Sequence, residues 1–445
     1  MNRGYHSSSM RTLLLLSLAV LLRAQDFAPL EQAARAEMAR LHVPGAAIAI
    51  VKGDRVIYSQ VFGTADIESS EPVRAGMLFR LGSTTKQLTA AAVVGLAVEG
   101  KLDLNAPISR YLAGLPPRIG AVTANQLLSH TAGIRDEAPM WGSHDDSALG
   151  AGIRQWTDAW LFTRPGKVFS YSNPGYWLAG YLLESITGKP YADAMEARIF
   201  QPLGMSRTTL RPTTAMTYPL AQGHELTGGK PAVVRPAADN AATWPAGSVF
   251  SCTEDLARWV IAVLNRKGID ARVVDLMTEP HARYPGSENS YGYGLGLITR
   301  RGVRVWQHSG ARAGYGSEIL VAPEQKIGIV VLTNLTGASL PATVEKAAEL
   351  LLPLASGTAT AAPVLNSCSA ADAARLAGVW RNGSDRIEVA MRAGKLYLKR
   401  GGAESAVQGC SPALLRTESG TLCVVVAGAD GKPAYLHAGS RSFAR

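Results

Sequence analysis

The chain has 445 residues, 47% hydrophobic and 18% charged, a balance that excludes an intrinsically disordered protein and predicts two or three domains with large cores. Its net charge of +10 comes from Lys and Arg scattered along the sequence, without a run of five basic residues or a nucleic-acid-binding motif. Nucleic acid is therefore not an expected partner; the basic surface reads as a solvated face.

The N-terminus carries Arg3 and Arg11 around the start of an apolar run, residues 13–22, followed by Ala24. This is the outline of a signal peptide over residues 1–24, too short to span a bilayer comfortably. It predicts a periplasmic or extracellular protein with no stable membrane span after cleavage. Export makes Cys252, Cys368, Cys410 and Cys423 disulfide candidates. Three pairings are open, and Cys410 with Cys423 or Cys368 would stay within one module. No CxxC or His-rich cluster suggests a metal site, and no cofactor is expected.

In chain order, residues 27–41 have helical periodicity, and residues 45–51 and 55–62 read as two strands joined at Lys52-Gly53-Asp54. Gly82 then turns the chain into a helix over residues 83–99, with Leu88, Ala91, Ala92, Leu96 and Val98 on its apolar positions. Ser83 falls at the helix N-terminus, among unpaired backbone N–H groups, and Lys86 brings its amine back beside the hydroxyl one turn on. A weak nucleophile, a potential base and an anion-stabilising backbone thus meet within four residues. The pattern Ser-x-x-Lys alone also fits a helix-capping Ser with a solvated Lys.

Residues 126–130 predict a short helix. Residues 134–164 form a long irregular segment, with Trp141, Trp156 and Trp160, that reads as a pocket rim or as packing. Tyr171 and Asn173 stand on a loop before an apolar helix over residues 176–186, spaced so that their side chains can share a face. A further helix is expected over residues 254–265, with Thr253 as its N-cap and Cys252 at its entry.

Strands are predicted at residues 303–308, 317–322 and 327–333, making an antiparallel sheet with the opening hairpin as neighbours. His308-Ser309-Gly310-Ala311 lies at the end of the first, where Gly310 would let a ligand approach the backbone. A helix over residues 341–352 would cover the sheet. Residues 356–366 read as a linker between a unit of residues 25–355 and a small β-rich module of residues 367–445.

Taken together, Ser83-x-x-Lys86, Tyr171-Ser172-Asn173 and His308-Ser309-Gly310 resemble, in order and spacing, the three motifs of the serine β-lactamase and penicillin-binding protein superfamily. The likeness is to its class C-like branch of β-lactamases, D-alanyl-D-alanine peptidases and carboxylesterases. It covers roughly residues 27–352 and extends to Leu127-Leu128-Ser129-His130-Thr131-Ala132-Gly133, Pro202-Leu203-Gly204-Met205 and Gly292-Tyr293-Gly294-Leu295-Gly296.

The resemblance implies an α+β, β-lactamase/transpeptidase-like fold: an antiparallel sheet flanked by helices, with a helical subdomain. It implies Ser83 as the acylated nucleophile, with Lys86 and Tyr171 sharing proton transfer and the choice of base open. Asn173 would orient Lys86 and the substrate amide, and the N–H groups of Ser83 and Ala311 would form an oxyanion hole. His308 would face a substrate carboxylate or the Tyr171 hydroxyl, in a substrate-binding stretch with Ser309 and Gly310. His130 would act no closer than through a backbone hydrogen bond in its turn.

The expected substrate is a small ester, amide or peptide, with cell-wall peptides included. Because His308 replaces the family's Lys, esterase or D-amino-acid peptidase activity ranks above penicillin binding or β-lactam hydrolysis. A non-catalytic binding module with the same fold is the remaining alternative.

Overall fold

The computed structural model describes residues 25–137, 139–356 and 365–445. The expected signal peptide and residues 357–364 of the expected linker lie outside the described residues.

Among the described residues, nine strands form one antiparallel sheet in the order 71–72, 55–66, 45–52, 327–333, 315–322, 303–312, 296–300, 290–291 and 282–283. The opening hairpin closes on the last long strand, with Ala46 opposite Thr333. Strands Gly45–Lys52 and Ile327–Thr333 are buried along nearly their whole length. Helices Ala28–Leu41 and Pro341–Leu351 cover one face of the sheet, and the helical subdomain packs on the other. Burial on both faces explains why these strands read as unbroken apolar runs.

Three local expectations change. The strand expected to stop at His308 runs Val303–Arg312, because residues 309–312 continue the ladder, with Ser309 opposite Glu318 and Arg312 opposite Tyr315. Asn173 is the first residue of the helix Asn173–Thr187 instead of a loop residue. Ser172 caps that helix by accepting from the Gly175 N–H at 3.2 Å, and Pro174 fits its first turn. Thr253 begins its helix, with Cys252 at the cap position and no side-chain cap bond.

Segment 134–164 holds a short helix, Ala148–Ile153. Trp156 is buried and stacks on Trp160 at 4.5 Å, so that pair is packing, whereas Trp141 is 56% exposed.

Beyond residue 365, eight strands close a barrel, from Gly378–Asn382 to Arg441–Ala444. The sequence shows only some of them. Strand Ala403–Cys410, with the sequence AESAVQGC, has one β-branched residue and little apolar alternation. Cys368 pairs with Cys410, while Cys252 and Cys423 are buried free thiols.

Candidate active site

Gly82 has φ +55°, and a Cβ there would fall 2.6 Å from the Ala311 nitrogen, so glycine lets the turn and the strand Val303–Arg312 meet. Ser83 follows in a 3-10 turn, Gly82–Thr84, which feeds the buried helix Thr85–Val98. The Leu81 carbonyl before the turn is held by the hydroxyls of Ser317 at 2.6 Å and Thr84 at 3.0 Å. Ser83 therefore stands at the head of the helix on a pinned backbone.

Lys86 is completely buried. Its Nζ lies 3.2 Å from Ser83 Oγ, 2.8 Å from Asn173 Oδ1 and 2.6 Å from the Ala246 carbonyl oxygen, and as an ammonium it donates to all three. The Asn173 amide is oriented by Asp136, whose Oδ1 accepts from Asn173 Nδ2 at 3.1 Å and from its backbone N–H at 2.9 Å. Burial pulls the Lys86 amine down to about 7, with the Asp136 carboxylate opposing the shift.

The Lys86 nitrogen also lies 4.8 Å from the Tyr171 ring centroid. The Tyr171 hydroxyl is buried with no hydrogen bond of ordinary geometry. Burial raises its pKa well above that of a free tyrosine, and the neighbouring Ser83 hydroxyl offsets this only in part. His130 packs against the Tyr171 ring at 4.2 Å and accepts the Ser172 N–H on Nδ1 at 3.1 Å, so its backbone bond reaches 42 residues along the chain and not into its own turn as expected.

His308 departs from expectation. Its Nδ1 lies 2.6 Å from the Ser309 carbonyl, which requires a proton on that nitrogen, so Nε2 accepts from the Tyr291 hydroxyl at 3.1 Å. Burial, then the nearby Lys86, push its pKa down to about 3. The ring is thus neutral at neutral pH and engaged by Tyr291, without a hydrogen bond to Tyr171; it supplies no charge for a carboxylate. Ser309 is exposed, and Ser83, Asn173 and Ala311 line one cavity of about 170 Å³ with Met140, Trp177 and Arg312.

A family model described as Beta-lactamase matches residues 30–352, well over half of the sequence. The chain belongs to the Beta-lactamase family. Among its relatives, Protein flp of Staphylococcus aureus (strain MW2) is 30% identical over 310 residues, 68% of this chain and 62% of that protein. Unguisins hydrolase ungD of Aspergillus violaceofuscus is 28% identical over 336 residues, 67% of this chain and 59% of that one. This chain therefore spans under two thirds of the length of these relatives. Among solved structures, SurE superposes with a TM-score of 0.78 at 25% identity, covering 94% of this chain and 98% of SurE, and a second structure holds SurE with D-Leu.

Several residues around this candidate site escaped the sequence reading, among them Asp136, which fixes Asn173, and Arg441 of the barrel, which pairs with Asp136 Oδ2. No local pattern announces either, because they lie 305 residues apart in sequence. The barrel grips the same loop elsewhere. The Tyr171 N–H donates to the Ser440 carbonyl at 2.9 Å, and the Ser442 N–H donates to Ser170 Oγ at 3.1 Å.

Proposed function

We propose that this chain is an exported serine hydrolase that forms an acyl-enzyme at Ser83 and cleaves an ester or amide in a small molecule or D-amino-acid peptide. The observation that carries this reading is the set of partners around Lys86. A neutral amine has two N–H bonds and one lone pair. The Ala246 carbonyl and the fixed Asn173 Oδ1 can only accept, so they take the two N–H bonds and the lone pair faces Ser83 Oγ. With a pKa near 7, that lone pair is available at neutral pH.

In the proposed reaction Lys86 removes the Ser83 proton as Oγ attacks the carbonyl, and the oxyanion lies between the N–H groups of Ser83 and Ala311. The raised pKa of Tyr171 keeps its hydroxyl protonated, suited to relay the proton to the leaving group. Water then releases the acyl group. The relative named as a hydrolase supports hydrolysis, and the SurE structure with D-Leu supports the D-amino-acid part of the reading. The Cys368–Cys410 disulfide supports an oxidising, exported location.

Pre-steady-state release of nitrophenol from a short-chain nitrophenyl ester tests the proposal. A burst near one equivalent, absent in Ser83→Ala, is expected; turnover retained by Ser83→Ala would sink the mechanism. Stable acylation by penicillin would instead favour a penicillin-binding carboxypeptidase.

A further inference from the structure

Among the described residues, the cavity beside Ser83 has one charged side chain in its lining, Arg312, two residues beyond Gly310. Arg312 shares a single carboxylate with a second arginine. Arg80 Nη2 pairs with Asp239 Oδ1 and its Nη1 donates to the Ala238 carbonyl at 2.7 Å. Arg312 Nη2 reaches the same carboxylate oxygen and the same carbonyl, both only at 3.3 Å. The remaining oxygen, Asp239 Oδ2, accepts from Trp244 Nε1 at 3.1 Å.

Two guanidinium groups against one carboxylate leave a surplus of one positive charge, and among the described residues no other acid pairs with either arginine. Arg312 is 12% exposed, and its Nε has no hydrogen-bond partner. Burial and the neighbouring Arg80 depress even this guanidinium, to about 9, which marks a site short of negative charge. An anion entering the cavity would relieve that shortage.

We propose that Arg312 makes the Ser83 cavity selective for acyl donors that carry a carboxylate on the acyl part. This rests on the serine hydrolase reading above. The surplus of one charge matches a monoanion better than a phosphate dianion. The site also differs from the one the sequence suggested. His308 is neutral and tied to Tyr291, and neither His308 nor Tyr171 lines this cavity, so Arg312 faces the part of the substrate away from the Tyr171 proton relay.

The test uses 4-nitrophenyl monoesters of adipic, pimelic and suberic acid, each beside a neutral ester in which a terminal isopropyl group replaces the carboxylate. For at least one chain length, wild-type protein is expected to prefer the acid about 10-fold or more in kcat/KM, mainly through KM. Arg312→Met should bring that ratio to near one, and Arg312→Lys should retain part of it. Free adipate, pimelate or suberate should compete with the neutral ester in the wild type. If Arg312 only braces Asp239, Arg312→Met depresses both esters alike and leaves the ratio intact, which overturns the proposal. So does a wild-type preference under twofold at all three lengths. Failure of the hydrolase reading looks different: neither ester then acylates Ser83.

Discussion

Lys86 shows how one buried side chain sets a pH response. Its pKa falls to about 7 through burial, so the amine is protonated below that pH and unable to accept the Ser83 proton. The acylation rate constant is expected to rise with pH to a plateau, with a midpoint near 7; a profile flat from pH 5 to 9 would remove Lys86 from the role of base. The sign for stability follows from the same shift. Between about 7 and 10.5 the unfolded chain binds the proton that the folded chain has lost, so this group adds stability as pH rises through that window. The imidazoles act at the acid end. His308, depressed to about 3, and His437, depressed to about 4, are neutral in the fold. Their contribution is complete above about 6.5 and is lost as pH falls, at up to about 1.4 kcal/mol per pH unit for each group. Urea unfolding at pH 7, 6, 5 and 4 should show this decline, and His308→Asn should make it shallower.

At the scale of elements, the site depends on how closely the strand Val303–Arg312 approaches the serine turn. A methyl group at Gly310 would fall 1.9 Å from the Leu81 carbonyl oxygen, 2.3 Å from Ser317 Oγ and 3.0 Å from the Ser83 nitrogen. All three belong to the pinned backbone or its anchor, so none can move without shifting Ser83. Gly310→Ala is expected to lower acylation about 100-fold or more by displacing an oxyanion donor. It should also reduce the thermal midpoint, because a contact this short must be relieved in a packed core. Acylation within threefold of wild type would show that strand and turn can separate without loss. Arg312 belongs to the same strand, two residues on, and its effect on substrate choice is a consequence of the ladder continuing beyond His308.

At the scale of the whole molecule, the barrel brings a charged side chain to the Lys86 surroundings. Arg441 pairs with Asp136, and Asp136 both orients Asn173 and raises the Lys86 pKa. Removing the guanidinium leaves that carboxylate uncompensated. Arg441→Ala is therefore expected to move the midpoint of the pH–acylation profile upward by about half a unit to one unit, with Arg441→Lys restoring much of the difference. An unchanged midpoint in Arg441→Ala would confine the barrel to packing. The contacts from Ser440 and Ser442 to the Tyr171 loop are backbone or hydroxyl bonds without net charge, so they fix the position of Tyr171 and not its field, and Asn382 Oδ1 holds the Asp136 N–H at 3.2 Å.

The amino-acid sequence by itself determined the serine turn, the Lys one helical turn beyond it, the apolar runs of the doubly covered strands and the order of the three motifs. These are local: helix geometry brings Ser83 and Lys86 together, and burial on both faces writes itself into composition. The tertiary structure alone decided which groups surround Lys86, that His308 is neutral, that Arg312 enters the Ser83 cavity and that Arg441 reaches Asp136. Each of these depends on burial or on charges brought together from distant parts of the chain. Electrostatics acts through space, and the spacing of residues along the sequence carries no record of those distances.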